Sequence, residues 1–384
     1  MAKARLHLRG SVWYVVISWS ENGIKRQKWL STRTSDQERA EDQLRRIKEE
    51  LRAGLDLSVD PTVEEWLRKW HSTGVGLGNW RESTTVRYAQ SVGRLVPEIG
   101  DRTLRSLKPS DVELLAARLG ARCKTHTVRS DLSVLSSALR EAEHEGIVLR
   151  NVAAIARWPN VPRRRKAALA IEEAARLLRV AYSRPDVWGY YIELGLLTGL
   201  RRGELLGLLW EHIDLDAATL RVVQQRQQRR GHGAMDVPPK SESSIRGVAL
   251  PSSAVDLLRA LRTRYAQESL ALGIMPPRYV FARRRAGVWG PYSATKALRH
   301  IYRQAGVDTT QPSHALRYTQ AALLEAVHAE GITRQHRLGH ARIEETEGYT
   351  AADIDAQRIS AERAAQLLAG RKPRSKEATK RARS

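Results

Sequence analysis

The segment Pro159-Asn160-Val161-Pro162-Arg163-Arg164-Arg165-Lys166 limits what this chain can fold into more than any other. Its two prolines fix φ and remove backbone donors, so neither a helix nor a strand can cross it. The four basic residues that follow repel one another and keep the backbone in solvent. Residues 159–166 are therefore read as a linker, and the stretches before and after it must build separate cores. A basic linker also suits a path lined by phosphates, which makes Arg163, Arg164, Arg165 and Lys166 candidates for nucleic-acid contacts; a solvated hinge is compatible with that. With 384 residues the chain has room for two or three domains of roughly 100–200 residues each.

Ahead of the linker two patterns succeed one another. Ser11 to Trp19 is rich in β-branched and aromatic residues, and Ile24 to Leu30 follows after Asn22-Gly23. Asn-Gly between two such runs marks a hairpin, because both central residues need positive φ. Trp13, Trp19 and Trp29 are expected to form the core of this small sheet. Lys25, Arg26 and Lys28 on the hairpin are candidates for phosphate contacts. Ser35-Asp36-Gln37-Glu38 reads as a capping box opening a charged helix through about Ala53. Residues 1–57 thus read as a strand-rich unit with one helix. From Thr62 the period changes: Val63, Trp66, Leu67 and Trp70 share one helical face, and Val128, Leu132, Leu135, Leu139 and Ala142 share another. Residues 58–158 read as a four-helix domain.

Beyond the linker, residues 167–370 read as mixed and mainly helical. Strand candidates occur at Thr219–Val223 and Gly247–Leu250 among helices. Residues 371–384 are a basic tail, expected to be disordered. The fold class is α+β, mainly helical.

The formal net charge of +23 penalises the compact state unless an anionic partner neutralises it. No run approaches ~18 consecutive apolar residues, so no spanning helix is expected. The N-terminal residues lack an apolar stretch ending in a cleavage site, and Cys123 is the only cysteine. An intramolecular disulfide framework is thereby excluded. The expectation is a cytoplasmic protein that acts on nucleic acid.

Four pieces of the third region carry chemistry together. They are Thr198-Gly199-Leu200-Arg201-Arg202-Gly203-Glu204-Leu205, Pro239-Lys240 with Arg246 beyond, His314-Ala315-Leu316-Arg317, and Leu338-Gly339-His340 followed by Tyr349 in Gly348-Tyr349-Thr350. In this order and spacing they resemble the tyrosine recombinase (phage integrase) family, whose hallmark is Arg…Lys…His-x-x-Arg…His…Tyr. One departure is Asn151-Val152-Ala153, where many relatives have Asn-Pro. The resemblance implies a lambda-type site-specific integrase. Residues 1–57 would bind distal arm sites, 58–158 would be the core-binding domain, and 167–370 the catalytic domain. It also implies double-stranded DNA attachment sites as substrate and a homotetramer assembled on two sites. An excision factor or a host DNA-bending protein would be an accessory partner, as for phages and other mobile elements. The segment Ala351 to Leu368 would dock on a neighbouring protomer, the alternative being packing in cis.

The residue types suit the chemistry. Transesterification at a phosphodiester passes through a phosphorane carrying extra negative charge. Two guanidiniums can hold its non-bridging oxygens at any working pH; by resemblance these are Arg201 and Arg317. The Tyr349 phenol, with a reference pKa of about 10, needs a proton acceptor or a cationic pocket to attack. The resemblance assigns acid–base work to His314, a phosphate hydrogen bond to His340, and protonation of the departing 5′ oxygen to Lys240. A phosphotyrosine ester stores the energy of the broken bond, so no cofactor, ATP or metal is expected.

Taken singly, each residue has a plainer reading. Arg201, three before Glu204, suits a helix-surface ion pair. His336 and His340 are four apart, yet Arg337 stands where a metalloprotease has Glu, so no metal site is expected. Alternatives at the level of function are a Xer-like dimer resolvase, a non-catalytic DNA-binding protein on the same fold, and a type IB topoisomerase.

Overall fold

The computed structural model describes residues 3–21, 24–56, 59–161, 168–229, 233–238, 245–283, 287–338 and 351–370. The chain divides into two compact units, 1–163 and 164–384.

The first unit opens with strands β1 (Lys3–Arg9), β2 (Val12–Glu21) and β3 (Ile24–Ser31), antiparallel in the order β1-β2-β3. Strand alternation turns Val15, Ile17 and Trp19 with Leu6 and Leu30 toward helix α1 (Gln37–Arg52), which offers Leu44, Ile47 and Leu51. Two expectations need correction. Trp29 pairs with Val16 and so points to the other face, where it is 42% exposed and packs edge-on against His7 and Tyr14. The cap of α1 is Asp36, not Ser35: its carboxylate accepts from the backbone N–H of Glu38 and Arg39. Strand β1, with its charged and apolar residues mixed, is not apparent from composition.

The helical part follows as α2 (Val63–Gly76), α3 (Glu82–Ile99), α4 (Pro109–Gly120), α5 (Thr125–His144) and the short α6 (Val152–Ile155). Thr62 and Glu65 form the expected reciprocal capping box on α2. The core is separate from that of the sheet and gathers Trp66, Leu67, Leu95, Leu115, Leu132, Leu135 and Leu139. Buried Asp131 on α5 accepts from Arg94 at 2.8 and 2.7 Å and from Ser91 at 2.7 Å, pinning α3 to α5. Asn151 caps α6 and donates to the Ser136 carbonyl at 2.7 Å.

In the second unit, α7 (Ile171–Tyr182) leads to α8 (Trp188–Thr198), which is buried along its length except at Tyr190 and Glu193 and forms the centre of the core. After the short α9 (Arg202–Leu206) come β4 (Ile213–Asp214), β5 (Thr219–Val222), the hairpin β6 (Gln225–Arg229) and β7 (Gly233–Val237), and β8 (Arg246–Ala249). The sheet order is β4-β5-β8. Arg226 and Asp236 lie opposite each other in the hairpin and pair at 2.9 and 2.7 Å. Then follow α10 (Ser252–Leu272), β9 (Ala282–Arg283), β10 (Gly287–Val288), α11 (Pro291–Gln304), α12 (Pro312–Ala326), α13 (Gly331–Leu338) and α14 (Ala351–Leu368).

In the single chain, 351–368 takes the alternative named above, packing in cis. Helix α14 packs in cis against α12 and β8. Ala361 and Ala364 are buried, Gln357 accepts from the Ala249 N–H, and Glu362 accepts from the Ser252 backbone N–H and hydroxyl at 2.9 and 2.8 Å. Ala364, with Leu367 and Leu368, packs against Leu323 and Leu324 of α12. The basic tail lies outside the described residues.

Candidate active site

The site is built on the C-terminal end of α8. Gly199 there has φ +68°, and a Cβ on it would stand 2.7 Å from Leu338. Glycine therefore both reverses the chain and admits the end of α13. Two residues on, Arg201 is the N-cap of α9. Glu204 reaches back to the Arg201 N–H at 2.8 Å and pairs with the Arg201 guanidinium at 2.8 Å. This is the i,i+3 ion pair that the plainer reading of Arg201 foresaw, but it is not a surface pair. Glu204 is 6% exposed and is also held by Arg246, at 3.1 and 2.9 Å. Burial would raise the Glu204 pKa; the charge and hydrogen bonds of Arg246, and then Arg201, prevail and bring it down to about 2. The Arg201 side chain keeps 40% of its surface open.

Helix α12 starts at Pro312 and places His314 and Arg317 one turn apart on the same side. Arg317 is buried. Its Nη1 donates to the Gly199 carbonyl at 2.8 Å and its Nη2 to the Leu338 carbonyl. Burial and then the charge of Arg201 lower its pKa to about 10. A guanidinium whose charge is opposed by that of Arg201 would be relieved by an anion bound between the two. His314 is exposed, with its pKa held below 6.5 by partial burial and by Arg202, Arg317 and Arg201. It is thus a neutral proton acceptor at neutral pH.

The structure brings Arg201, His314 and Arg317 together. Lys240, His340 and Tyr349 lie outside the described residues, as do Arg163, Arg164, Arg165 and Lys166. The three hairpin cations separate by register. Lys25 pairs with Ser20, on the face that carries Trp29, whereas Arg26 and Lys28 pair with Trp19 and Ile17 on the α1 side. Among the described residues no group of three or more His, Cys, Asp or Glu could hold a metal ion.

Three features escaped the sequence reading. Arg246 was noticed without a role. Arg337 was seen only as the residue that breaks a metal spacing, yet it is fully buried. Nothing in an arginine-rich sequence marks it. The third is a groove of about 650 Å³ on α11, lined by Arg202, Tyr292, Lys296, Arg299, His300 and Arg303. Here a signal existed, since Lys296, Arg299 and Arg303 fall at i, i+3 and i+7.

Residues 169–355 match the model of the phage integrase family. An integrase of Streptomyces ambofaciens is 28% identical over 319 residues, 75% of this chain and 78% of that protein. A XerC-like tyrosine recombinase of Caldanaerobacter subterraneus subsp. tengcongensis is 32% identical over 177 residues, 43% of this chain. That match spans less than half, 45%, of the relative's own length. Among solved structures, a lambda integrase dimer bound to a COC′ core site superposes with a TM-score of 0.55 at 18% identity, over 92% of this chain and 94% of that one. At that identity the likeness concerns the fold, and it extends over both units. The family-model match and the integrase and recombinase relatives agree that residues 169–355 form a domain of the phage integrase (tyrosine recombinase) family, and the fold is the one lambda integrase has.

Proposed function

We propose that the chain is a site-specific DNA recombinase that cuts and rejoins strands through a 3′-phosphotyrosine intermediate on Tyr349. The observation that supports this reading is that Arg317, held by the Gly199 carbonyl two residues before Arg201, comes near both Arg201 and His314. In this reading the Tyr349 oxygen forms a bond to phosphorus as the bond to the 5′ oxygen breaks. His314 accepts the phenolic proton, and Lys240 gives a proton to the departing oxygen. Arg201, Arg317 and His340 hold the non-bridging oxygens, where preorganised charge is typically worth several kcal/mol. The freed 5′ hydroxyl of the partner strand reverses the step, so neither ATP nor metal enters.

The basic groove of α11 offers the catalytic unit a surface for the DNA backbone. The N-terminal sheet, with Lys25 on its open face, would serve distal arm sites, and the helical part would hold the core site. Linker residues Arg163, Arg164, Arg165 and Lys166 would follow the phosphates between them. Work on two sites calls for a homotetramer, with an excision factor or host DNA-bending protein as accessory, in the cytoplasm of a bacterial host. A Xer-like dimer resolvase is the second reading, favoured by the XerC-like relative; the N-terminal sheet favours the integrase.

A plasmid bearing two candidate attachment sites tests the proposal. Deletion or inversion between them is the expected result. Relaxation alone would indicate a topoisomerase, and binding alone a protein that has kept the fold without the chemistry.

A further inference from the structure

We infer that Arg337, which belongs to none of the motif positions, is a positioning residue that sets the orientation of the Arg317 guanidinium. The inference rests on the recombinase reading above. Arg337 lies at the end of α13 with no exposed surface. A guanidinium in such a place demands compensation, and what it has is backbone. Its Nη1 donates to the Ala249 carbonyl on β8 at 2.6 Å, and its Nη2 to the Leu197 carbonyl at 2.9 Å. Leu197 is in the last turn of α8, where carbonyls lack helical partners and the helix end is partly negative. The next carbonyls along this path matter for the site. Gly199, two residues after Leu197, accepts from Arg317 Nη1, and Leu338, the residue after Arg337, accepts from Arg317 Nη2. Both carbonyls that orient Arg317 are therefore neighbours of Arg337 or of its acceptor. Arg246 closes the frame: its Nε donates to the Arg337 carbonyl at 3.2 Å while its Nη atoms hold Glu204, the partner of Arg201.

Arg337 thus fastens α13 to the α8 terminus at a fixed offset, and with it the separation of the two acceptors that Arg317 spans. A lysine at 337 keeps the charge but cannot reach two carbonyls in the planar fork geometry. Arg317 would then be present but misaimed.

The test compares wild type, Arg337→Lys, Arg337→Met and Arg317→Ala in single-turnover cleavage of a suicide substrate. Each is run with an ordinary scissile phosphate and with a methylphosphonate, which lacks one negative charge. Thermal unfolding and DNA affinity are measured alongside. The expected result is that Arg337→Lys binds DNA as wild type does and cleaves the phosphate about a hundredfold more slowly, the scale of a misplaced reacting group. On the methylphosphonate its deficit should shrink, as that of Arg317→Ala does, because less charge then needs the guanidinium. An equal deficit on both substrates, or none on either, overturns the inference. If Arg337→Met unfolds while Arg337→Lys stays folded, the lysine variant alone decides. Should wild type cleave neither substrate, the recombinase reading fails first and the inference falls with it.

Discussion

Arg246 and Glu204 meet through two parallel hydrogen bonds, Nη1 to Oε1 at 3.1 Å and Nη2 to Oε2 at 2.9 Å, and neither side chain is more than 6% exposed. Arg246 comes from β8 and Glu204 from α9, so the pair joins the sheet to the helix that Arg201 caps. A carboxylate buried under two guanidiniums is a structural anion, and its titration is a stability property. With the pKa brought from its ordinary 4.5 down to about 2, it contributes on the order of 3 kcal/mol above pH 4.5. The sign follows from the lowered value. The contribution is complete above 4.5, declines as pH falls, and is gone below about 2. Acid titration of urea midpoints should show this component in wild type and lack it in Glu204→Gln. The variant should also be less stable by about 3 kcal/mol at pH 7, because it leaves a buried guanidinium poorly paired. An acid limb of equal steepness in both proteins would count against it.

Gly199→Ala should be destabilising at two levels. A residue with a Cβ is strained by about 1–2 kcal/mol at positive φ, and the new atom would meet Leu338 at 2.7 Å. The loss should exceed that of Gly93→Ala, a helical position where a Cβ meets nothing. Cleavage should fall as well, since the Gly199 carbonyl holds Arg317. Denaturant midpoints and single-turnover rates of the two variants make the comparison.

For His314 the lowered pKa has a kinetic consequence. Only neutral imidazole can accept the Tyr349 proton, so the acid limb of the cleavage rate should lie below pH 6.5. In His314→Gln that limb should vanish and the rate should drop by roughly 10²–10⁴. A limb centred above 6.5 in wild type would assign the titration to another group.

The basic face of α11 predicts a salt effect. Combined Lys296→Ala, Arg299→Ala and Arg303→Ala should weaken DNA binding and flatten the plot of log K against log salt by about 2–3, near 0.9 for each phosphate no longer neutralised. These residues lie on the open groove, so thermal stability should hardly move. An unchanged slope would place the DNA elsewhere.

Helices were readable where apolar spacing recorded their buried face, as in α2 with Val63, Trp66 and Leu67, and the Thr62 cap marked where it starts. Of the candidate site, the structure brings Arg201 and Arg317 near each other although 116 positions separate them, because motif order survives when its members are far apart in the chain; Lys240, His340 and Tyr349 lie outside the described residues. What spacing cannot reveal is the partner of a buried charge. Arg337 and Arg246 look in sequence like any solvated arginine, and only tertiary packing supplies the carbonyls and the carboxylate that make them internal. Trp29 was misplaced for a related reason. A tryptophan on a small sheet can face either side, and the register that decides is set by the pairing of β2 with β3.

The central claim is a covalent link through Tyr349, and a denaturing gel tests it directly. The protein is incubated with DNA carrying candidate core sites, without metal or ATP, quenched in denaturant, and run beside Tyr349→Phe. A protein–DNA adduct in wild type that is absent from the variant is the predicted result. If a bound cognate site yields no adduct even as a nicked suicide substrate, or if Tyr349→Phe forms the adduct equally well, the account of this site is wrong.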